Sequence, residues 1–312
     1  MARLEHKRIW VAGHRGMVGS AIVRRLASVE CDVLTVGREA LDLLDQRSVR
    51  DWIGRERPDI VILAAARVGG ILANDTRPAD FLYENLAISS NVIEAAHRAD
   101  VNRLLNLGSS CIYPKMAAQP IVEESLLTGP LEPTNEWYAV AKIAALKLTQ
   151  ALRRQYGRDY ISAMPTNLYG PGDNYDLNTS HVLPALLRKA HDGKAAGDNS
   201  LTLWGTGKPR REFLHVDDCA DACLFLLENY SDELHINVGS GSDLSIFELA
   251  QLICDVVGFS GTIQTDASKP DGTPRKLMSN ARIAAMGWTP RIPLREGIAS
   301  VYQDFLAGGG RL

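Results

Sequence analysis

An excess of either charge is missing from this chain of 312 residues: 34 Lys and Arg stand against 37 Asp and Glu, a net charge of -3. No basic run or patch is present, which argues against nucleic acid as a partner. Long apolar runs are missing too. The one near the start, Ile9 to Ala12, is too short for the apolar region of a signal peptide, and no segment approaches the length of a membrane span. Cysteine is sparse: Cys31, Cys111, Cys219, Cys223 and Cys254 form an odd, scattered set with no disulfide framework. Reduced thiols and a cytoplasmic location are therefore expected. Cys219 and Cys223 lie one helical turn apart without two further ligands nearby, so they read as small buried apolar residues, and no metal site is expected. What is present is ordinary globular composition, 46% apolar, enough for one large domain or two medium ones.

The order of elements in the first half carries more. Arg8 to Ala12 reads as a buried strand, and it runs straight into Gly13, His14, Arg15, Gly16, Met17, Val18 and Gly19 before an apolar-periodic helix. In that context the glycine spacing has a physical meaning. Gly13 allows a tight turn, Gly16 lets backbone approach a pyrophosphate, and Gly19 lets the helix pack on the strand. The helix N-terminus then turns its positive end to the phosphates. The next strand, Asp32 to Val36, ends at Gly37-Arg38, where an NAD site usually carries an acid. Arg38 and Arg15 suit a 2′-phosphate, which indicates NADPH/NADP; the alternative is a solvated Arg38 with Glu39 serving the ribose. Asp42 and Leu43 follow as candidates for the adenine pocket. Strands at 58–64, 101–107 and 159–164 alternate with helices, one of them about Asp80 to Arg98. This predicts an α/β fold with a doubly wound parallel sheet. In such sheets ligands bind outside the carboxyl ends of the strands, where Leu107, Gly108, Ser109, Ser110 and Cys111 stand.

A Tyr-x-x-x-Lys pair supplies a proton donor. Tyr138 and Lys142 lie one turn apart on a helix that Thr134 or Asn135 could cap, so phenol and ammonium share a face. A close ammonium is expected to lower the phenol's pKa from its usual value near ~10. Tyr138 would then protonate a carbonyl oxygen as it becomes an alkoxide, with Ser109 as a second hydrogen bond to that oxygen and Lys142 also at the nicotinamide ribose.

Taken together, the glycine loop, the strand-end serine and Tyr138/Lys142 resemble the extended short-chain dehydrogenase/reductase family. The resemblance extends through Ala64–Gly70, Gly108–Lys115, Leu131–Glu136, Met164–Pro171, Arg211–Asp218 and Asp266–Arg275. It implies a Rossmann fold with a smaller, interleaved C-terminal substrate domain. The expected NADP-binding domain is 1–172 with return segments about 211–240; the substrate domain is 173–210 and 241–312. The Ser-Ser-Cys segment, with His181 and Lys-Pro-Asp-Gly, points to the branch acting on a GDP-4-keto-6-deoxy-sugar.

On the residues alone, Cys111 is equally a packing residue, and His181 equally a helix cap. The resemblance assigns both to proton exchange at the carbons beside the ketone, where inversion needs a base on one face and an acid on the other. It also places Pro165, Thr166, Asn167, Leu168 and His181 at the nicotinamide end of the cofactor, and Lys189, Trp204, Arg211 and Asp271 on the GDP-sugar. The family commonly has arginine where this chain has Lys189. By the same analogy, Tyr138 and Asn91 would lie on helices that pair two subunits into a homodimer. Rival readings are a sibling reductase or 4-epimerase of another nucleotide sugar, and a silent NADPH-binding regulatory module.

Overall fold

The computed structural model describes residues 3–269 and 271–311. Strand β1 (Arg8–Ala12) leads through the glycine turn into helix α1 (Met17–Leu26), followed by β2 (Asp32–Leu34), α2 (Gln46–Glu56) and β3 (Ile60–Leu63). Then come α3 (Ile71–Thr76), α4 (Pro78–Arg98), β4 (Arg103–Leu107), α5 (Glu136–Tyr156), β5 (Asp159–Pro165) and β6 (Asn167–Tyr169). The second half holds α6 (Val182–Ala196), β7 (Ser200–Trp204), β8 (Arg210–His215), α7 (Val216–Asn229), β9 (Ile236–Val238) and β10 (Asp243–Ser245). It closes with α8 (Ile246–Val257), β11 (Thr262–Asp266), β12 (Arg275–Lys276), α9 (Ala281–Ala285) and α10 (Leu294–Leu306).

Six strands form a wholly parallel sheet in the order β2-β1-β3-β4-β5-β9. Its central strands are buried on both faces because helices cover both: every residue of β3 and β4 is buried. One core lies under α1 and α7, the other under α2, α4 and α5, where Trp10 and Trp52 meet at 4.5 Å. This is the doubly wound α/β fold. A third core joins α6, α8 and α10 beneath two smaller sheets. One of these is β7 with β11; the other has β8 flanked by β10 and β12 and also paired with β6. Among the described residues no helix is long and apolar enough to cross a membrane.

Strand β8 pairs with β6, β10 and β12 in the small mixed sheet and sends Leu214 into the core under α1 and α7, while α7 packs on that core and β9 joins the six-stranded sheet. Helix α6 runs past Gly193 to Ala196, because Gly193 is buried against Phe259 and Gly197 supplies the left-handed cap. After the three glycines 308–310, Arg311 exchanges backbone hydrogen bonds with Asp173 and Tyr175.

Candidate active site

Helix α1 begins at Gly16 with no side-chain cap, so its first amide donors are left for a ligand. The turn before it is built for close approach. A Cβ on Gly13, whose φ is +91°, would sit 2.7 Å from the Ala65 backbone, and one on Gly19 would run into the carbonyl of Gly13. These features fit a dinucleotide's pyrophosphate. His14, half-buried here, is held below the usual imidazolium range by burial and by Arg15 beside it, against the pull of Glu39.

Arg15 and Arg38 have different surroundings. Arg15 makes a two-pronged ion pair with Glu39, at 2.8 and 2.7 Å, over Gly37. Arg38 is exposed and makes no ion pair among the described residues. Glu39 lies 24 residues from Arg15 in the chain, and the fold brings the two together, which residue types alone did not rank. Asp42 accepts from the Leu44 amide at 3.0 Å, and Leu43 packs on the core while its carbonyl accepts from Asn91 at 2.9 Å. Asn91 faces its own chain and is buried within α4.

At the carboxyl end of β4, Ser109 caps the short turn Ser110–Ile112, its Oγ accepting from the Cys111 amide at 3.3 Å. Ser110 and Cys111 are buried. The Gly108 amide donates to Ala163 on β5, and the Thr166 amide to Val238 on β9, so three neighbouring strand ends meet here. Thr166 and Asn167 both donate side-chain hydrogen bonds to the carbonyl of Glu212, at 3.3 and 2.8 Å, and Pro165 and Leu168 flank them at the end of β5 and the start of β6.

Tyr138 and Lys142 project from the first turns of α5. Lys142 Nζ donates to the Leu107 carbonyl at 2.9 Å and lies 5.7 Å from the centre of the Tyr138 ring. Phe81 of α4 meets that ring edge-on at 6.5 Å. The Asn135 side chain, at the N-cap of α5, makes no capping bond; Glu132 instead holds the turn before it. The phenol's pKa runs opposite to expectation. Burial pushes Tyr138 well up, the nearby Cys111 adds to this, and the Ser109 hydroxyl offsets only part. Lys142 gives the phenolate too little, because burial lowers the ammonium itself to about 8. Burial thus favours the neutral phenol over the phenolate at Tyr138. Cys111 is pushed up by burial, with Lys276, Ser109 and Lys142 pulling it down, so the thiol, the phenol and two ammoniums form one electrostatic cluster.

His181 is the N-cap residue of α6, yet its side chain makes no capping bond, which leaves the imidazole free. The residue is exposed, and desolvation by the surrounding protein holds its imidazolium below the usual range. The Gly70 amide, in the loop after β3, donates to Thr179 at 2.9 Å and so ties His181's loop to the first domain. No hydrogen bond joins His181 to Cys111 or Tyr138 among the described residues.

The substrate-side candidates form two groups. Lys189 and Lys269 place their ammoniums 5.2 and 5.3 Å from the centre of the Trp204 ring, which is half-exposed. Asp271 clamps Thr206 through backbone and hydroxyl, at 2.7 and 2.8 Å, closing the turn after Trp204. Arg211 lies in register with Lys276 on the neighbouring strand, so both side chains leave the same face. Burial lowers the basicity of both, and neither has a carboxylate within ion-pair distance among the described residues. Lys276 escaped the sequence reading. Its only signal was its place just after the Lys-Pro-Asp-Gly-Thr-Pro-Arg run, and register cannot be read from that. Among the described residues no cluster of three metal-ligating side chains occurs.

The family model described as "NAD dependent epimerase/dehydratase family" matches residues 9–239. A "GDP-L-fucose synthase" of Sinorhizobium fredii is 60% identical over 98% of this chain and 98% of its own. A "GDP-L-fucose synthase 1" of Arabidopsis thaliana is 56% identical, covering 96% of this chain and 93% of the relative. A GDP-L-fucose synthetase of Naegleria fowleri, solved bound to NADP, superposes with a TM-score of 0.90 at 28% identity, over 99% of this chain and 96% of that one.

Proposed function

The chain belongs to the NAD dependent epimerase/dehydratase family, and from that premise we propose that it converts GDP-4-keto-6-deoxy-D-mannose to GDP-L-fucose, inverting C3 and C5 and reducing C4. Its cofactor is NADPH/NADP, which when bound supplies hydride to C4. The observation that carries the reading is Cys111. A ketone reduction needs no thiol, yet a buried one shares a cluster with Ser109, Tyr138 and Lys142.

The roles follow from the groups present. Ser109 and Tyr138 hydrogen-bond the C4 oxygen, which stabilises negative charge when a proton leaves C3 or C5. Cys111 and His181 take and return those protons from opposite sides. Tyr138 then gives its proton to the C4 oxygen. Lys142, fixed by the Leu107 carbonyl, holds the ribose and keeps positive charge beside the phenol. The loop of Gly13, His14, Arg15, Gly16, Met17, Val18 and Gly19 takes the pyrophosphate. Arg38, with Asp42 and Leu43, serves the adenosine end. Leu107 to Ser110 and Pro165 to Leu168 line the nicotinamide end, with His181 across from them. Arg211 and Lys276 receive the sugar's diphosphate, and Trp204, Lys189 and Asp271 its nucleoside side.

A homodimer and a cytoplasmic location complete the proposal. Tyr83, Trp137 and Val140 are exposed apolar residues on the two packed helices α4 and α5, an outer face suited to a second copy. A sibling keto-deoxy sugar is the second reading, favoured by Lys189, which turns its ammonium to Trp204 and the Thr202 carbonyl and lacks arginine's fork. One experiment separates them: NADPH oxidation at 340 nm with GDP-4-keto-6-deoxy-D-mannose, and NMR of the product. GDP-L-fucose is expected. An unepimerised product removes Cys111 and His181 from their roles, and no oxidation by NADPH-binding protein points to the sibling sugars.

A further inference from the structure

Three successive glycines near the end of the described chain each answer a local demand. Gly308 and Gly310 have φ of +83° and +92°, in the left-handed region. A Cβ on Gly309 would run into the Asp304 carboxylate, and one on Gly310 would come within 2.5 Å of the Tyr175 ring and 3.0 Å of the Asp173 carbonyl. The backbone bonds are equally specific. The Gly308 and Gly309 amides close the end of α10 on Phe305 and Asp304, at 3.0 and 2.8 Å. The Arg311 amide then donates to Asp173 at 2.9 Å, and the Tyr175 amide donates to Arg311 at 2.7 Å. Tyr175 is fully buried, its ring 4.7 Å from that of Phe305, and its carbonyl accepts from Arg188 of α6 at 3.1 Å.

What this grip holds is the root of the loop that ends at His181. From 176 to 181 no residue is buried, so no core packing places the loop. Inside it, Asp176 accepts from the Asn178 and Thr179 amides and the Thr179 hydroxyl, which stiffens the turn without anchoring it. Its anchors are the Tyr175 root, the bonds to Thr179 from the Gly70 amide and the Asn174 side chain, both at 2.9 Å, and, at the far end, α6, whose Ala185 amide donates to the His181 carbonyl at 3.1 Å.

We propose that the Gly309–Arg311 strap, centred on Gly310, is a positioning element for His181, fixing the root of the loop that presents the imidazole to the cleft. The proposal rests on the proton-transfer role of His181. Displacing the strap then impairs proton exchange beside the ketone while leaving NADPH binding alone, because the glycine loop that takes the pyrophosphate follows β1 of the six-stranded sheet. A misplacement of about 1 Å at a reacting group costs on the order of a hundredfold in rate.

The test compares Gly310→Val, the milder Gly310→Ala, His181→Asn and Gly287→Ala. Gly287 has φ of +100° and open space around it, so its variant imposes similar backbone strain far from this loop. Deuterium uptake from D2O at C3 and C5 of the keto-sugar is followed by NMR, and the NADPH Kd by fluorescence. Uptake is expected to fall roughly tenfold or more in the Gly310 variants, with the NADPH Kd unchanged and Gly287→Ala like the parent. Unchanged uptake in the Gly310 variants, an equal fall in Gly287→Ala, or a parallel loss of NADPH binding overturns the strap. Uptake that survives His181→Asn overturns the role of His181 itself, whereas uptake lost there and kept in both Gly310 variants defeats the strap alone.

Discussion

Arg210 faces Arg275 across β8 and β12, and one residue further on Arg211 faces Lys276. Like charges directly opposite on adjacent strands repel. The first rung is resolved internally: Asp243 pairs with Arg210 at 3.0 Å and with Arg275 at 2.5 Å. The second rung, on the opposite face, has no carboxylate partner within ion-pair distance among the described residues and is more enclosed. The same contrast recurs in the first domain. Arg103 is buried with Asp159 and three carbonyls at the end of α7, while the buried Lys142 has the Leu107 carbonyl alone. Cations that have acids hold the fold; cations that lack them mark where an anion or a reacting group is to sit.

The sharpest break of this contrast is Lys142→Met. Turnover should fall about 10²- to 10⁴-fold, while the melting temperature holds or rises, because a desolvated ammonium is removed. The pH dependence has a definite sign. A base lowered by burial binds fewer protons in the folded chain than in the unfolded one. Its stability cost is therefore full below about pH 8 and fades as pH rises above it, and Lys142→Met should flatten that trend. Next in size, Arg211→Ala should raise KM for the GDP-sugar roughly 10- to 100-fold, the loss of charge-assisted hydrogen bonds of about 1.5–3 kcal/mol. Arg275→Gln on the other face should leave KM alone and cost less than about 1 kcal/mol of stability. Equal KM effects of the two would erase the distinction between the rungs. Arg103→Met should lower stability by about 1–3 kcal/mol through its orphaned carbonyls, measured by urea unfolding, with KM unchanged. The smallest effect belongs to Glu39→Gln, which frees Arg15 and should tighten NADPH a few-fold relative to NADH; no change in that ratio would leave Arg15 out of cofactor selection.

Local chemistry was legible in the sequence, and register was not. The strand, glycine turn and helix at 8–26 could be read because each residue acts within one turn of its neighbours. The same holds for Tyr138 and Lys142, whose spacing alone puts them on one face. Burial could not be read: it reverses the expected direction for Tyr138. Nor could partnership across the chain. Glu39 takes Arg15, Lys276 meets Arg211 through strand register, and Gly310 packs on Tyr175, each a contact between segments whose spacing gives no period. His181 shows both sides of this, since its place at a helix start was readable but its uncapped side chain was not.

The central claim is that proton exchange at C3 and C5 precedes reduction at C4 in one site. Its most direct test is the conversion of GDP-4-keto-6-deoxy-D-mannose in D2O with unlabelled NADPH, followed by NMR of the product. The account predicts deuterium at C3 and C5 and protium at C4, with GDP-L-fucose as the sugar. Protium retained at C3 and C5 would contradict it.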